Sequence, residues 1–153
     1  VGPLPPSNGY RYCVTCIDRF TRWPECFPVS DITAETVASA LVAGWISKFG
    51  TPLRITTDQG RQFESSLFRA LAQLLGAHHI HTTSFHPESN GMLERWHRCL
   101  KAALRCHASP QWVETLPLIL LGLRSASNED HGSTPAEMVY GTTLRLPGQF
   151  LHE

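Results

Sequence analysis

Two carboxylate side chains, Asp58 and Glu94, are of the type and in the places that a divalent cation needs. Asp58 directly follows residues 53–57, a short apolar and β-branched run that predicts a buried strand, although taken alone it also suits a turn before Gly60. Glu94 lies in the first turns of a predicted helix, with 35 residues between the two acids. Magnesium takes one or two protein carboxylates together with substrate phosphate and water. Two such ions, about 3.5–4 Å apart, could steady the attacking and leaving oxygens, so the pair predicts phosphoryl transfer.

The helix that carries Glu94 has an apolar face and, beside it, a column of cations. Its apolar residues recur at three- and four-residue intervals: Leu93, Trp96, Leu100 and Leu104. Glu94 is followed at the same spacing by Arg98, Lys101 and Arg105. Taken alone, this pattern is typical of a surface helix, in which such pairs contribute about 0.2–0.5 kcal/mol. Beside metal-bound carboxylates, Arg98 and Lys101 would contact a phosphate backbone, which fixes position but carries little sequence information.

The composition indicates one globular domain in a reducing, intracellular environment. The chain has 153 residues, of which 42% are hydrophobic and 17% charged, enough for an ordinary core. Its formal net charge is zero, so any anion-binding surface must be local. No apolar run reaches the roughly 18 residues of a membrane span, no signal peptide is recognisable, and the five cysteines lack paired spacing. Because the first residue is Val1 and not Met, we expect a piece of a longer chain.

The order of the predicted elements indicates an α/β domain with a five-stranded mixed sheet and helices on both faces. Strands are expected at residues 1–6, 10–17, 23–29, 53–57 and 79–83. The first three should form an antiparallel meander, whereas the last two arrive through crossovers. Helices are expected at residues 33–49, 65–75, 92–107 and 110–123, then from Thr134, with a loop-like tail over 142–153. Leucines 67, 71, 74 and 75 should face the core, and Pro117 should kink or restart its helix.

Blocks of sequence along almost the whole chain resemble the catalytic core of retroviral and retrotransposon integrases, most closely that of Ty3/gypsy-like long-terminal-repeat elements. The main blocks are Asp58-Gln59-Gly60-Arg61-Gln62-Phe63 and His86-Pro87-Glu88-Ser89-Asn90-Gly91, the latter leading to Glu94 after the 35-residue gap. Further blocks are Gly2-Pro3-Leu4-Pro5, residues 17–23, Phe49-Gly50-Thr51-Pro52, residues 112–124 and Thr134-Pro135-Ala136-Glu137. So many blocks in one order make the resemblance specific.

The resemblance implies a ribonuclease H-like fold and Mg²⁺- or Mn²⁺-dependent 3′-end processing and strand transfer of element DNA into a target. By motif match, Asp58 and Glu94 are the second and third acids of the family's Asp-Asp-Glu triad. Arg98 and Lys101 occupy positions where the family contacts DNA, and Asn90 lies in the loop beside the active site. The family also implies dimers or higher oligomers, further integrase modules as partners, and the nucleus as the site of action. Contact surfaces are then expected around Trp96 and residues 112–123, although a core role is the simpler alternative.

The chain departs from the family at the first acid, which would lie upstream of Val1. Asp18 is a tempting substitute, but its hairpin, residues 18–23, has a structural role by the same resemblance. With two of three acids, the 153 residues alone should be weakly active or inactive. The alternatives are a domesticated or decayed integrase that binds nucleic acid or protein without catalysis, which the residue preceding Val1 would distinguish, and a ribonuclease H-type nuclease.

Overall fold

The computed structural model describes residues 1–58, 60–76, 78–81, 91–107, 109–130 and 132–148. The strands are β1 (Tyr12–Ile17), β2 (Pro24–Val29), β3 (Arg54–Thr57) and β4 (His78–His81). The helices are α1 (Ala34–Leu41), α2 (Ser47–Phe49), α3 (Arg61–Glu64), α4 (Ser66–Leu75), α5 (Gly91–His107), α6 (Trp112–Arg124) and α7 (Pro135–Tyr140). The domain is therefore α/β, with a strand or helix close to each predicted position after residue 10.

The predicted five-stranded sheet is not observed among the described residues. β1 and β2 form one antiparallel pair, in which Tyr12 lies opposite Val29. β3 and β4 form a separate parallel pair, in which Arg54 lies beside His78. The last two residues of the predicted fifth strand, 82 and 83, lie outside the described residues.

The N-terminal segment, predicted as a strand, pairs with β1 without becoming a regular strand itself. Val1 and Cys13 exchange two backbone hydrogen bonds of 2.8 Å, and the Leu4 N–H donates to the Arg11 carbonyl at 2.6 Å. The segment also contains prolines at positions 3, 5 and 6, which have no N–H to donate. A continuous ladder is therefore impossible there, and the predicted three-stranded meander is reduced to one hairpin and this short contact.

The predicted helix over residues 33–49 forms, but its middle is widened. Thr33 caps α1 by accepting a hydrogen bond from the Thr36 N–H, and Gly50, with φ of 80°, ends α2. Between them, Val42–Ile46 has π-helical geometry. Inside this segment the Gly44 backbone lies so close to the Phe27 ring that any side chain at position 44 would clash with it. Glycine therefore permits the contact between this helical segment and β2.

The larger core cluster joins the β1–β2 hairpin to α5 and α6. Its buried members are Cys13, Cys26, Trp96, Leu100, Trp112, Leu116, Ile119 and Leu120. Trp96 and the inner face of α6 are thus core, the simpler of the two alternatives. α6 continues through Pro117 without restarting, and this proline lies exposed on the side of the helix away from the core. None of the described helices is both long and apolar enough to cross a bilayer.

The second core cluster corrects one position of the predicted core face of α4: Phe68 faces the core in place of Leu67. Phe68 is 1% exposed and packs with Val37 and Leu41 of α1, whereas Leu67 is 47% exposed. Ser65 caps the helix by accepting a 3.1 Å hydrogen bond from the Phe68 N–H. The larger aromatic side chain removes more apolar area from water than a leucine does, so Phe68 takes the inward position.

Candidate active site

Asp58 is exposed at the carboxyl end of β3, where the backbone turns towards α3. Its Oδ1 accepts a 2.9 Å hydrogen bond from the Gly60 N–H, and the Thr57 hydroxyl donates to the Asp58 carbonyl at 2.9 Å. A Cβ at Gly60 would lie 2.9 Å from Asp58 Oδ1, so a larger residue there would displace this carboxylate. Asp58 does form this turn. Within the described part of the chain, however, only one of its carboxylate oxygens accepts a hydrogen bond.

Glu94 is exposed in the first turn of α5. The partial positive charge at the start of this helix favours a carboxylate there. The start of α5 is tied to the β1–β2 hairpin, because Arg22 Nη1 donates to the Met92 sulfur at 3.0 Å. Glu94 is therefore presented to solvent by a helix whose beginning is held in place.

His97, one turn after Glu94, fixes α5 against β1. Its Nε2 lies 2.7 Å from Thr15 Oγ1, a hydrogen bond between residues 82 positions apart in the chain. The sequence analysis did not single out His97. Its spacing was a usable signal, since it lies three residues after Glu94 and four before Lys101 and so belongs to the same side of the helix.

The pKa of His97 indicates that the Asp58 carboxylate lies near α5. Burial lowers the pKa of His97 to about 4, and the positive charge of Lys101 acts in the same direction. The Asp58 carboxylate opposes them and raises the pKa. The Asp58 charge is therefore felt one turn from Glu94, and His97 is neutral at pH 7.

The predicted cationic column is present on α5 and open to solvent. Arg98, Lys101 and Arg105 are all exposed, and none forms an ion pair with any residue that the structure describes. Asn90, the fifth predicted site residue, lies outside the described residues. Arg98 and Lys101 thus remain available to an anionic ligand beside Asp58 and Glu94.

Asp18 holds its hairpin turn. Its Oδ2 accepts hydrogen bonds of 2.8 Å from both the backbone N–H and the hydroxyl of Thr21. These bonds account for an acid at this position without any catalytic role, in agreement with the structural interpretation of the hairpin.

The donor set suits a hard cation but is incomplete for a two-ion site. Asp58 and Glu94 both offer carboxylate oxygens, the ligands that Mg²⁺ prefers. Within the described ranges no three histidine, cysteine, aspartate or glutamate side chains are grouped closely enough to hold one ion. Asp58 and Glu94 therefore fit part of a metal site, and further ligands would have to come from elsewhere.

Comparison with known proteins agrees with this arrangement. A family model described as the integrase core domain matches residues 1–87, more than half of the chain. The chain belongs to the integrase core domain family. The matched residues include Asp58 and end before Glu94.

Relatives of this integrase core extend the similarity over α5. The Retrovirus-related Pol polyprotein from transposon 412 of Drosophila melanogaster is 32% identical over 154 residues, covering 98% of this chain. The Gag-Pol polyprotein of feline leukemia virus is 34% identical over 141 residues, covering 90%. This integrase core spans only 12% and 8% of those two polyproteins, respectively.

Solved structures show that the fold is that of retroviral integrase catalytic cores. The HTLV-2 integrase catalytic core domain in complex with magnesium (trimeric form) has a TM-score of 0.68 at 22% identity, covering 82% of each chain. The simian T-cell lymphotropic virus intasome in complex with the PP2A regulatory subunit B56 gamma has a TM-score of 0.74 at 21% identity. It covers 86% of this chain and 49% of that one.

Proposed function

We propose that this domain is the catalytic core of a retroelement integrase that carries out 3′-end processing and strand transfer of DNA. One structural observation carries the proposal beyond family membership. The Asp58 charge acts on His97, which lies one turn from Glu94 and is bonded to β1. This effect and the exposure of both carboxylates support a shared surface for the two acids, as metal-assisted phosphoryl transfer requires.

Asp58 and Glu94 would hold the divalent cation, Mg²⁺ or Mn²⁺. A bound ion of this kind polarises a phosphoryl oxygen and makes an attacking water or hydroxyl more acidic. The exposure of both carboxylates leaves room for the substrate phosphate that completes magnesium coordination. The magnesium in the HTLV-2 core supports the same metal here.

The exposed cations of α5 would bind the DNA backbone. Arg98 and Lys101 lie one and two turns after Glu94, so a phosphate chain passing the metal site would meet them in sequence. Because the net charge of the chain is zero, this local column would provide the attraction, and the neutral amide of Asn90 in the preceding segment would contact DNA through hydrogen bonds. His97 adds no charge to the column, since it is neutral at pH 7.

The functional unit would be an oligomer that includes the other modules of a Pol-derived integrase, acting on element ends and target DNA. The trimeric HTLV-2 core and the simian virus intasome are assemblies of related domains and support this expectation. The nucleus would be the site of action, because the target is chromosomal DNA. Nothing in the comparisons or in the described residues favours a non-catalytic binding module.

A strand-transfer assay with Glu94→Gln tests the proposed function. The substitution keeps size and hydrogen bonding but removes the charge, so in the full-length protein with Mn²⁺ we expect strand transfer to fall by about 10³-fold. Glu114→Gln is a matched control, because Glu114 is also an exposed acid in the first turn of a helix, α6. We expect Glu114→Gln to retain wild-type activity; equal activity of Glu94→Gln and wild type would refute the assignment of Glu94.

A further inference from the structure

A cavity of about 270 Å³ lies between the β1–β2 hairpin, the end of α2 and α7, and the proposed catalytic surface does not use it. It is lined by Asp18, Thr21, Trp23, Trp45, Phe49, Gly50, Pro52 and Val139. Gly50 and Pro52 precede β3, whereas Asp58 follows it. A four-residue strand spans about 13 Å, so this cavity and Asp58 lie at opposite ends of β3.

Three aromatic side chains form much of the cavity wall. The ring centroids of Trp45 and Phe49 are 4.9 Å apart, and those of Trp23 and Phe49 are 6.2 Å apart with planes at 72°. Aromatic faces carry partial negative charge and attract cations. The Trp23 ring is buried, with the Arg124 guanidinium 4.3 Å and the Tyr140 ring centroid 5.3 Å from its own centroid. The half-buried Trp45 and the exposed Phe49 therefore provide the aromatic surface for a ligand.

Asp18 is the only charged residue among those that line this cavity. Thr21 donates both of its hydrogen bonds to Asp18 Oδ2. The structure shows no partner for Asp18 Oδ1 among the described residues, so this oxygen can accept another hydrogen bond. A carboxylate beside aromatic faces selects for a cation over a neutral or anionic group.

Three cations on the β1–β2 hairpin, α2 and α6 are bound elsewhere. Arg124 and Lys48 both pair with the buried Glu25, at 2.8 Å and 3.4 Å. Arg22 pairs with Asp130 at 3.6 Å. Among the described residues, therefore, no side chain of the chain itself neutralises the Asp18 carboxylate inside the cavity.

Apolar side chains beside the cavity indicate that its ligand is part of a longer molecule. Leu53, next to Pro52, is 85% exposed, and Tyr140, next to Val139, is 58% exposed. Exposed apolar groups around a small polar-tipped cavity are typical of a surface that covers an extended peptide. We propose that this aromatic cavity binds the methylated ammonium group of a lysine side chain in a partner peptide.

Choline and its neutral carbon isostere, 3,3-dimethylbutan-1-ol, test this proposal without knowledge of the partner. Both fill the same volume, but only choline is a cation. Followed by tryptophan fluorescence on the full-length protein, choline should bind about tenfold more tightly than the isostere. Equal binding of choline and the isostere would show that the cavity does not select a cation, which would overturn the proposal.

Substitutions then locate the binding. Phe49→Leu keeps apolar volume but removes one aromatic face, and Asp18→Asn removes the charge while keeping an acceptor for Thr21; each should weaken choline binding several-fold. Phe20→Leu is the matched control, because Phe20 is 72% exposed and does not line the cavity. A loss with Phe20→Leu equal to that with Phe49→Leu would count against the assigned site.

Peptides with an unmodified, a dimethylated or a trimethylated lysine identify the source of the cation. The methylated forms should bind at least about tenfold more tightly than the unmodified one, because a methylated ammonium is more easily removed from water. Choline binding without any preference among the peptides would show a site for small quaternary amines and refute the methyl-lysine proposal. Retained strand-transfer activity in Phe49→Leu would separate this site from the proposed catalytic function.

Discussion

Asp18 and Asp58 occupy equivalent places in the chain but have different surroundings. Each directly follows the last residue of a strand and accepts hydrogen bonds in the turn that comes next. Asp18 is half-buried and receives two bonds of 2.8 Å on one oxygen. Asp58 is exposed and receives one bond of 2.9 Å.

The difference shows that a turn-forming aspartate gains its further role from the element that faces it. Asp58 acts electrostatically on α5, the helix that carries Glu94, Arg98 and Lys101. Asp18 instead lines a cavity with aromatic walls. The same local motif can therefore serve a divalent metal in one place and an organic cation in another.

Metal titration gives the largest expected contrast between the two aspartates. Asp58→Asn should weaken Mn²⁺ binding to the 153-residue chain by at least about 100-fold, because it removes one of only two assigned ligands. Asp18→Asn should leave the binding isotherm unchanged, since Asp18 is not an assigned ligand and its Oδ2 is engaged by Thr21. Isothermal titration calorimetry measures both.

The same titration checks the number of ions. With two acids the wild-type chain should hold at most one ion well, so the isotherm should fit a single weak site. Two tight sites on these 153 residues would contradict the incomplete-triad interpretation. A loss of binding in Asp18→Asn as large as that in Asp58→Asn would break the comparison.

In urea unfolding, substitution of Asp18 should have the larger effect, the reverse of the order expected for metal binding. Asp18→Ala removes two hydrogen bonds to a half-buried carboxylate and should lower the free energy of unfolding by about 1–2 kcal/mol. Asp58→Ala removes one bond on an exposed turn, so its effect should stay within about 0.5 kcal/mol. If Asp58→Ala destabilised the protein more than Asp18→Ala, the stability of the turn at Gly60, and not metal binding, would be the reason for an aspartate at position 58.

Local signals in the sequence predicted most of the elements, because their causes are local. In the structure Thr33 and Ser65 each accept a hydrogen bond from a backbone N–H three residues later, and Gly50 ends α2, so these signals act over a few residues. The pairing of strands depends on contacts far apart in sequence, and the predicted five-stranded sheet is the part that the described residues do not confirm. The one-position error in α4 has the same origin, since only the contact with α1 distinguishes Phe68 from Leu67.

Site residues could be predicted where the residue type alone indicates the chemistry, but not where a contact between distant residues determines the role. Asp58 and Glu94 could be proposed from their chemistry and spacing, and whether they are catalytic stays a prediction. The hydrogen bond between His97 and Thr15 joins residues 82 positions apart, so no local pattern announced it. The aromatic cavity likewise combines three distant segments of the chain.

The smallest expected effect is the pH dependence that His97 gives to stability. Burial holds the pKa of folded His97 at about 4, below its usual 6.5, so the unfolded chain binds more protons between these values. The stabilisation by neutral His97 is complete above about pH 6.5 and is lost as the pH falls towards 4. Gln cannot titrate, so the free energy of unfolding of His97→Gln, measured in urea, should fall less over this range than that of the wild type.

His107→Gln is the matched control, because His107 is exposed at the other end of α5 and should leave the wild-type pH dependence unchanged. Asp58→Asn sharpens the comparison further. It removes the charge that favours protonated His97, so it should steepen the loss of stability on acidification. Asp18 is not among the groups that act on His97, so Asp18→Asn should not change the slope. Equal slopes in the two aspartate variants would show that Asp58 does not act on α5, and the proposed catalytic surface would lose its structural support.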